Sequence, residues 1–422
     1  MPSSLNTLID FGSATSFPVV RPTSVGELGE IVCAAAEAKR AIYPVGGRTM
    51  LDLGYSPTQP GTAVDLCSLN QVIDYPARDM TITVQAGITI EQLRETLNAE
   101  KQWLPIDIPL PVEATLGGAI ATNASGSGRY GFGTLRDYVI GITFVNDLGQ
   151  EVHAGGRVVK NVAGYDLMKL LTGSLGTLGI ITQVTLKLKP QSEASSLILI
   201  PVTLDQAATI LDALCASRTR PVCVDLLDPS ACKRIGERHG VEFPGGGPTW
   251  TLAIGFDGSI EAVRWQVAQL KQELPVELRN SVRECDGGEQ VLLRANLRDF
   301  PLRHESTLSF KANLLPGATI DFCRHAAALT PAPMLQAHAG NGIVIGHFKE
   351  LALERARTIV DSLGVVAANA KGNLFVTRCP PEWKAILPIW GRSTADRVLM
   401  KAVKAKLDPN HIFNPGRYVD GI

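Results

Sequence analysis

Apolar residues in the first 190 positions alternate between helical and strand spacing. Ser24-Val-Gly-Glu27 reads as a capping box, and Leu28, Ile31, Val32 and Ala35 then recur on one face. That pattern predicts a helix through about Lys39. Ala41–Val45 predicts a short strand ending in Gly46-Gly47, and residues 62–66 and 80–84 alternate as half-buried strands. Thr89-Ile-Glu-Gln92 caps a second helix that carries Leu93 and Leu97. Residues 138–145 and 151–154 flank Asn146-Asp-Leu-Gly149 as a hairpin, and 180–188 form a strand ending at Pro190.

Beyond Pro190 the texture changes, and strand-like and helix-like segments alternate with few glycine clusters. Residues 197–202 precede a helix from Leu204, 223–227 precede one near Pro229, and 251–256 precede 259–274. This predicts one or two ferredoxin-like α+β units. A helix over 394–406, carrying Val398 and Val403, leads into Asp408-Pro-Asn-His-Ile-Phe-Asn-Pro-Gly-Arg417. The expected domains are therefore 1–191, 192–392 and a C-terminal helix and tail over 393–422. No internal repeat or low-complexity segment interrupts them.

Composition narrows the function. The 422 residues are 45% hydrophobic and 19% charged, with a formal net charge of −1. That suits a globular enzyme and argues against a nucleic-acid binder, which needs a basic field. Eight cysteines stand singly, so iron–sulfur or zinc ligation by this chain alone is not expected. The N-terminus lacks a signal-peptide pattern and no uncharged apolar run reaches spanning length. The expectation is a cytoplasmic protein, at most peripheral to a membrane through a partner.

Candidate chemistry concentrates in glycine-rich runs. Pro44-Val-Gly-Gly-Arg-Thr49 follows a strand, where two glycines can open consecutive N–H groups to a diphosphate and Thr49 adds a hydroxyl. The alternative is an ordinary Gly-Gly loop. Leu116-Gly-Gly-Ala-Ile-Ala-Thr-Asn-Ala-Ser-Gly126 could hold the other side of the same phosphates, and Gly173-Ser-Leu-Gly-Thr-Leu-Gly179 is a third such run. Missing side chains at that density suit a large, flat, anionic ligand, and the reading is a flavin site. Gly126-Ser-Gly-Arg-Tyr-Gly131 fits the dinucleotide fingerprint, but no apolar strand enters it and no clear helix leaves it. His338, in His338-Ala-Gly-Asn-Gly342, is a candidate base for a substrate hydroxyl; the alternative is a satisfied structural histidine at a strand end. Arg129 and Arg417 adjoin glycine-rich loops and are candidates to pair with a carboxylate or the flavin edge.

These motifs, with Arg136-Asp137, Gly156-Arg-Val-Val-Lys-Asn-Val-Ala-Gly-Tyr-Asp166 and Phe413-Asn-Pro-Gly-Arg417, resemble the vanillyl-alcohol-oxidase/p-cresol-methylhydroxylase (PCMH-type) flavoproteins. Within them the chain looks most like the FAD-binding E subunits of bacterial glycolate oxidases. The resemblance covers the first 190 residues well and the middle only in outline. It implies an N-terminal FAD domain of two α+β subdomains, a cap domain, and a tail returning to the flavin. Pro44, Gly46, Gly47, Arg48 and Thr49 would line the pyrophosphate. Gly117, Gly118, Thr122, Asn123, Ser125, Gly126 and Arg129 would hold phosphate and ribitol. Gly179 and Ile180 would meet the adenine side, with Asn414 joining from the tail.

Departures from the family pattern carry information. Arg48 stands where glycine is usual and either adds a phosphate contact or crowds the loop; with no histidine there, non-covalent FAD is expected. Leu175 replaces the glutamate of the stand-alone D-lactate and D-2-hydroxyglutarate enzymes. Asn341, Ile343 and Ile345 replace members of the metal motif that follows His338 in those relatives, so no metal is expected. The resemblance implies oxidation of glycolate or a similar 2-hydroxy acid, with electrons passing to an iron–sulfur partner beside a sister FAD subunit. Two alternatives stand: a flavin-holding relay without its own catalysis, and an independent D-2-hydroxy-acid dehydrogenase.

Overall fold

A computed structural model of the chain describes residues 8–11, 16–157, 165–240, 242–244, 249–302, 305–392 and 395–422. Most of the Gly156–Asp166 motif, His304 and Thr394 lie outside the described residues.

Three sheets organise the molecule. The first contains β1 (Leu8–Asp10), β2 (Ser16–Val20), β3 (Ala41–Val45) and β4 (Gly61–Asp65) in the order β1-β2-β4-β3, with β4 parallel to both neighbours. Helix α1 (Val25–Glu37) joins β2 to β3. Its Leu28 and Val32 are buried, with Ile31 and Ala35 partly buried beside them. The cap differs from the expected box. Ser24 Oγ accepts the Glu27 N–H, but the Glu27 carboxylate reaches Thr23 N at 2.7 Å rather than Ser24. Strands β1 and β2 are only three and five residues long, and β2 contains Pro18, so neither shows a regular alternation.

The second sheet has the order β5-β6-β10-β8-β9, built from β5 (Val72–Asp74), β6 (Thr81–Gln85), β8 (Val139–Val145), β9 (Glu151–Gly155) and β10 (Ile180–Lys187). A separate two-stranded ribbon pairs β7 (Gln102–Trp103) with β11 (Lys189–Pro190). The expected hairpin is present: Val145 pairs with Glu151, and Asn146 Oδ1 accepts the Leu148 and Gln150 amides. Five helices belong to this region: α2 (Ile90–Asn98), α3 (Leu116–Thr122), α4 (Arg129–Phe132), α5 (Leu135–Tyr138) and α6 (Leu167–Leu171). The reciprocal Thr89/Gln92 box caps α2. The Leu116–Thr122 run, read in the sequence as a ligand loop, is instead a helix whose Leu116 and Ile120 enter the core.

The sheets change at residues 190–194. Beyond them lies an eight-stranded antiparallel sheet, ordered β15-β12-β14-β13-β17-β18-β16-β19. Its strands are β12 (Ala194–Val202), β13 (Cys223–Leu227), β14 (Trp250–Gly258), β15 (Arg283–Cys285), β16 (Leu308–Asn313), β17 (Met334–His338), β18 (Ile343–Phe348) and β19 (Asn373–Arg378). The first four and the last four each have ferredoxin-like order, and β13 pairs with β17 to fuse two such units. The connecting helices are α7 (Leu204–Ala216), α8 (Pro229–His239), α9 (Ile260–Glu273), α10 (Gly287–Asp299), α11 (Thr319–Ala327) and α12 (Leu353–Asn369). Helices α7, α9, α11 and α12 cover one face through residues such as Ile210, Val267, Phe322 and Leu363. Ala231, Ile235, Leu293 and Leu297 cover part of the other, leaving its centre toward the N-terminal sheets.

Helix α13 (Asp396–Leu407) and the tail run back to the first sheet, where Ile412 and Phe413 share a core with Leu28 and Ile42. The anchor is a fully buried ion pair. Lys404 Nζ donates to Asp408 Oδ2 at 2.5 Å, to Thr177 O at 2.7 Å and to Phe413 O at 2.8 Å. Asp408 in turn accepts the Ile412 and Phe413 amides.

Candidate active site

Between the two N-terminal sheets, the cap sheet and the tail lies a cavity of about 700 Å³. That is within the size range of small-molecule and cofactor sites. One end is formed by the turn after β3. Gly46, Gly47, Arg48 and Thr49 all line the cavity, and none of their amides donates to another described residue. Four successive unpaired N–H groups make an anion-binding concavity. The glycines are there for clearance: a Cβ on Gly46 would come within 2.1 Å of Thr115 Oγ1, and one on Gly47 within 1.7 Å of Glu113 O.

Arg48 has a left-handed backbone (φ 62°) and pairs with the buried Asp65 carboxylate at 3.2 Å, which Arg21 also reaches at 2.7 Å. It leans against the base of the turn and does not fill it. Burial pushes the Asp65 carboxylate up, but the Cys67 amide and thiol and the Arg21 guanidinium outweigh it and hold the group below its ordinary range.

The second glycine pair works differently from the sequence expectation. Gly117 N–H is spent on Ala86 O at 2.7 Å and Gly118 N–H on Thr115 Oγ1 at 3.3 Å. These two residues line the cavity by lacking side chains; they do not donate to it. Thr122 Oγ1 also turns back onto its helix, to Gly118 O at 2.9 Å. Asn123 (φ 49°), Ser125, Arg129, Gly179 and Ile180 line the same wall. Gly179 is extreme in conformation (φ 150°), and a Cβ there would lie 2.7 Å from the Phe144 ring.

Several expected contacts fall elsewhere. Gly126 is outside the cavity lining: its position is fitted to Asp107, whose Cβ would be 2.6 Å from an added side chain, and Gly128 N–H donates to that carboxylate at 2.7 Å. His338 is also outside the lining. Its ring is buried outside that lining, with Nδ1 and Asp225 Oδ1 at 2.5 Å and Nε2 without a hydrogen-bond partner among the described residues. Arg417 reaches the lining but spends its guanidinium internally. Nη2 donates to Leu51 O at 2.6 Å and Leu53 O at 2.8 Å, and the group lies over the Phe11 ring at 5.0 Å. Burial lowers its pKa to about 10, so it stays cationic at neutral pH while organising the 51–55 loop.

Asn414 is more informative than the sequence suggested. Its amide donates to Ile42 O at 2.8 Å and its Nδ2 to Leu175 O at 2.5 Å, while its Oδ1 has no hydrogen-bond partner. Asn123 and Asn341, also on the cavity wall, have similarly orphaned buried Oδ1 atoms. Buried polar atoms are normally satisfied, so three acceptors around one cavity fit a ligand that carries donors along its length.

The cap sheet supplies residues that carried no motif. Along β16, Leu308, Phe310 and Ala312 enter the helix-covered core, which leaves Ser309, Lys311 and Asn313 on the opposite face. Lys311 and Asn313 line the cavity beside Ile343 and Ile345 of β18 and Phe375 of β19. Lys311 Nζ lies 5.9 Å from the Phe375 ring centre. Period-two alternation within 308–313 was the available signal, though it gives a face and not a neighbour.

The charges are one-sided. Arg48, Arg129, Lys311 and Arg417 line the cavity, and no aspartate, glutamate or histidine does so among the described residues. The donor turn, orphaned acceptors and excess of cations together define a site for an extended, anionic, polar cofactor. An FAD fits those groups, and the architecture is that of a flavin-dependent oxidoreductase.

Comparison with known proteins agrees. A model described as an FAD binding domain matches residues 18–155, and one for the C-terminal domain of FAD linked oxidases matches residues 392–418. The chain is 27% identical to glycolate oxidase subunit GlcD of Bacillus subtilis, over 94% of this chain and 88% of that protein. It is 27% identical to a D-lactate dehydrogenase of Archaeoglobus fulgidus, over 96% and 92% of the two. It is also 32% identical to glycolate oxidase subunit GlcE of Escherichia coli, over 42% and 51%. The fold is similar to that of alkyldihydroxyacetonephosphate synthase, with TM-score 0.67 and 18% identity over 96% of this chain and 78% of that one.

The chain carries an FAD binding domain and the C-terminal domain of FAD linked oxidases, and its cofactor is FAD. It is an FAD-dependent oxidoreductase of the glycolate oxidase and D-lactate dehydrogenase kind. Among the described residues no helix is long and apolar enough to cross a membrane.

Proposed function

We propose that this chain holds FAD non-covalently and oxidises glycolate or a similar small 2-hydroxy acid to the 2-oxo acid, passing electrons to an iron–sulfur partner beside a sister flavin subunit. The observation that carries the reading is the run of four amides from Gly46 to Thr49, unpaired among the described residues, in a cavity whose described charged groups are all cationic. The amides, with Arg48 beside them, would hold the diphosphate. The Asn123 and Asn414 carbonyl oxygens are free to accept from a polyhydroxylated chain. Lys311 and Arg129 give the cap side a positive field for an anionic substrate. FAD, when bound, supplies the hydride acceptor; the chain supplies orientation, charge and exclusion of water.

Likeness to both GlcD and GlcE supports placement in a multi-subunit complex. The absence of clustered cysteines suits an external iron–sulfur acceptor: all eight are free thiols. A specific observation favours the relay as a second reading, because His338 does not reach the cavity.

One experiment separates these readings. The purified chain is loaded with FAD and mixed anaerobically with glycolate or D-lactate, and the flavin absorbance near 450 nm is followed. Bleaching without partners supports catalysis here. A yellow protein that stays oxidised supports the relay, and a chain that takes up no FAD ends both.

A further inference from the structure

Removing a hydride from a 2-hydroxy acid also requires a place for the hydroxyl proton. The titratable groups on the cavity wall, among the described residues, are Arg48, Arg129, Lys311, Arg417 and Tyr418. Arginine keeps its proton at physiological pH. Burial raises the Tyr418 phenol above its ordinary range, which leaves it protonated. That leaves one group able to arrive without a proton.

Resting on the flavin reading above, we propose that Lys311 is the catalytic base, taking the substrate's hydroxyl proton on its Nζ. Its surroundings suit that task. Across β18 its register partner is Ile345, and across β19 it is Phe375, so neither neighbouring strand offers a carboxylate. Among the described residues no acid pairs with it, and the charged group bearing on it is Arg129. Burial, reinforced by Arg129, pushes its ammonium down to about 8. A base poised near working pH is what proton abstraction needs.

The balance closes with one co-reactant. The O–H bond breaks and its proton joins the lone pair of the neutral amine, giving an ammonium. The electron pair left on oxygen forms the C=O bond as the C–H bond breaks. That hydrogen leaves with both electrons as hydride to the oxidised flavin. The substrate loses two electrons and the flavin gains them.

Two measurements test this. In the first, the FAD-free chain is pulsed with acetic anhydride across pH 6–11 and Lys311 acetylation is read by mass spectrometry. The expected midpoint is near 8, whereas exposed lysines titrate near 10. A Lys311 midpoint near 10 would overturn the proposal. In the second, Lys311→Arg and Lys311→Met are loaded with FAD, and stoichiometric flavin absorbance certifies an intact cofactor site.

Anaerobic bleaching of the wild-type flavin should rise about tenfold per pH unit up to pH 8. Both variants should bleach at least 100-fold more slowly and lose that slope. Lys311→Arg keeps the positive charge, so it should still bind the 2-oxo acid within a few-fold of wild type. Bleaching of Lys311→Arg within tenfold of wild type would reduce Lys311 to a charge anchor and sink the base role. Failure of the wild type to load FAD would instead remove the flavin reading, and the proposal with it.

Discussion

Lys404 to Met is the perturbation whose cost follows most directly from the structure. Lys404 and Asp408 are both fully enclosed, and the ammonium donates at once to Asp408, Thr177 O and Phe413 O. Methionine keeps the volume and the unbranched stem but removes all three donors. Asp408 would keep its two amide donors, from Ile412 and Phe413, yet be left as a buried charge without a counter-ion. Breaking a buried pair from one side costs about 3–5 kcal/mol. Two carbonyls also lose their donor, at about 1–3 kcal/mol each if they stay dry, so an overlapping total near 4 kcal/mol is the working figure.

Replacing both partners, Lys404→Met with Asp408→Asn, removes both charges while an amide oxygen can still accept from the tail. The double variant should therefore cost about 2 kcal/mol less than the sum of the single ones. Denaturant unfolding gives the global value. Hydrogen exchange at the Ile42 and Asn414 amides, bonded to Ile412 O and Ile42 O, reports the tail itself. A Lys404→Met loss below about 1 kcal/mol, or strict additivity in the double variant, would show that the pair does not hold the tail.

Three further outcomes follow. Gly47→Ala places a methyl within 1.7 Å of the Glu113 carbonyl, so it should shift the turn, cost about 1–3 kcal/mol and abolish FAD uptake measured by absorbance. Normal uptake would mean the turn is not the cradle. Arg48→Gly removes a left-handed arginine and so relieves about 1 kcal/mol of backbone strain, while Arg21 keeps Asp65 paired. Stability by thermal melt should change by no more than about 1 kcal/mol, whereas FAD affinity by fluorescence titration should fall several-fold; unchanged affinity would exclude Arg48 from the phosphate site. His338→Ala strands the buried Asp225 and should cost about 3–5 kcal/mol, but flavin bleaching at 10 °C should stay within a few-fold of wild type. A 100-fold slower bleach with full FAD loading would put His338 in the chemistry despite its place outside the cavity.

The cofactor end was legible in the sequence because its signal is local. A strand followed by Gly46-Gly47, and a helix opened by Thr89 and Gln92, are determined within a few residues by sterics and capping. The same local reading misjudged Gly117 and Gly118. Their spacing fits a donor loop, but Thr115 caps the segment and Ala86 O takes the amide, which makes a helix of it. Whether a glycine is present to donate or only to let another chain pass depends on a neighbour about thirty residues away. No periodicity reports that.

The cap side was illegible for a related reason. Alternation in 308–313 puts Lys311 on a face, but what that face meets is set by a sheet that joins two ferredoxin-like units edge to edge. His338 drew attention because histidine beside glycine and asparagine resembles a site, yet its strand partner is Asp225, which takes up its Nδ1. Chemistry inferred from residue type thus selected a side chain already paired. The lysine without a carboxylate looked ordinary, because a missing partner can be seen only in three dimensions. The arrangement also accounts for the tail. Lys404 and Asp408 form a buried charge pair, and their effect is to hold Asn414 where its backbone meets Ile42 and its side chain meets Leu175. A cavity assembled from the N-terminal sheets, the cap and the tail can bind its cofactor only when all of them are docked.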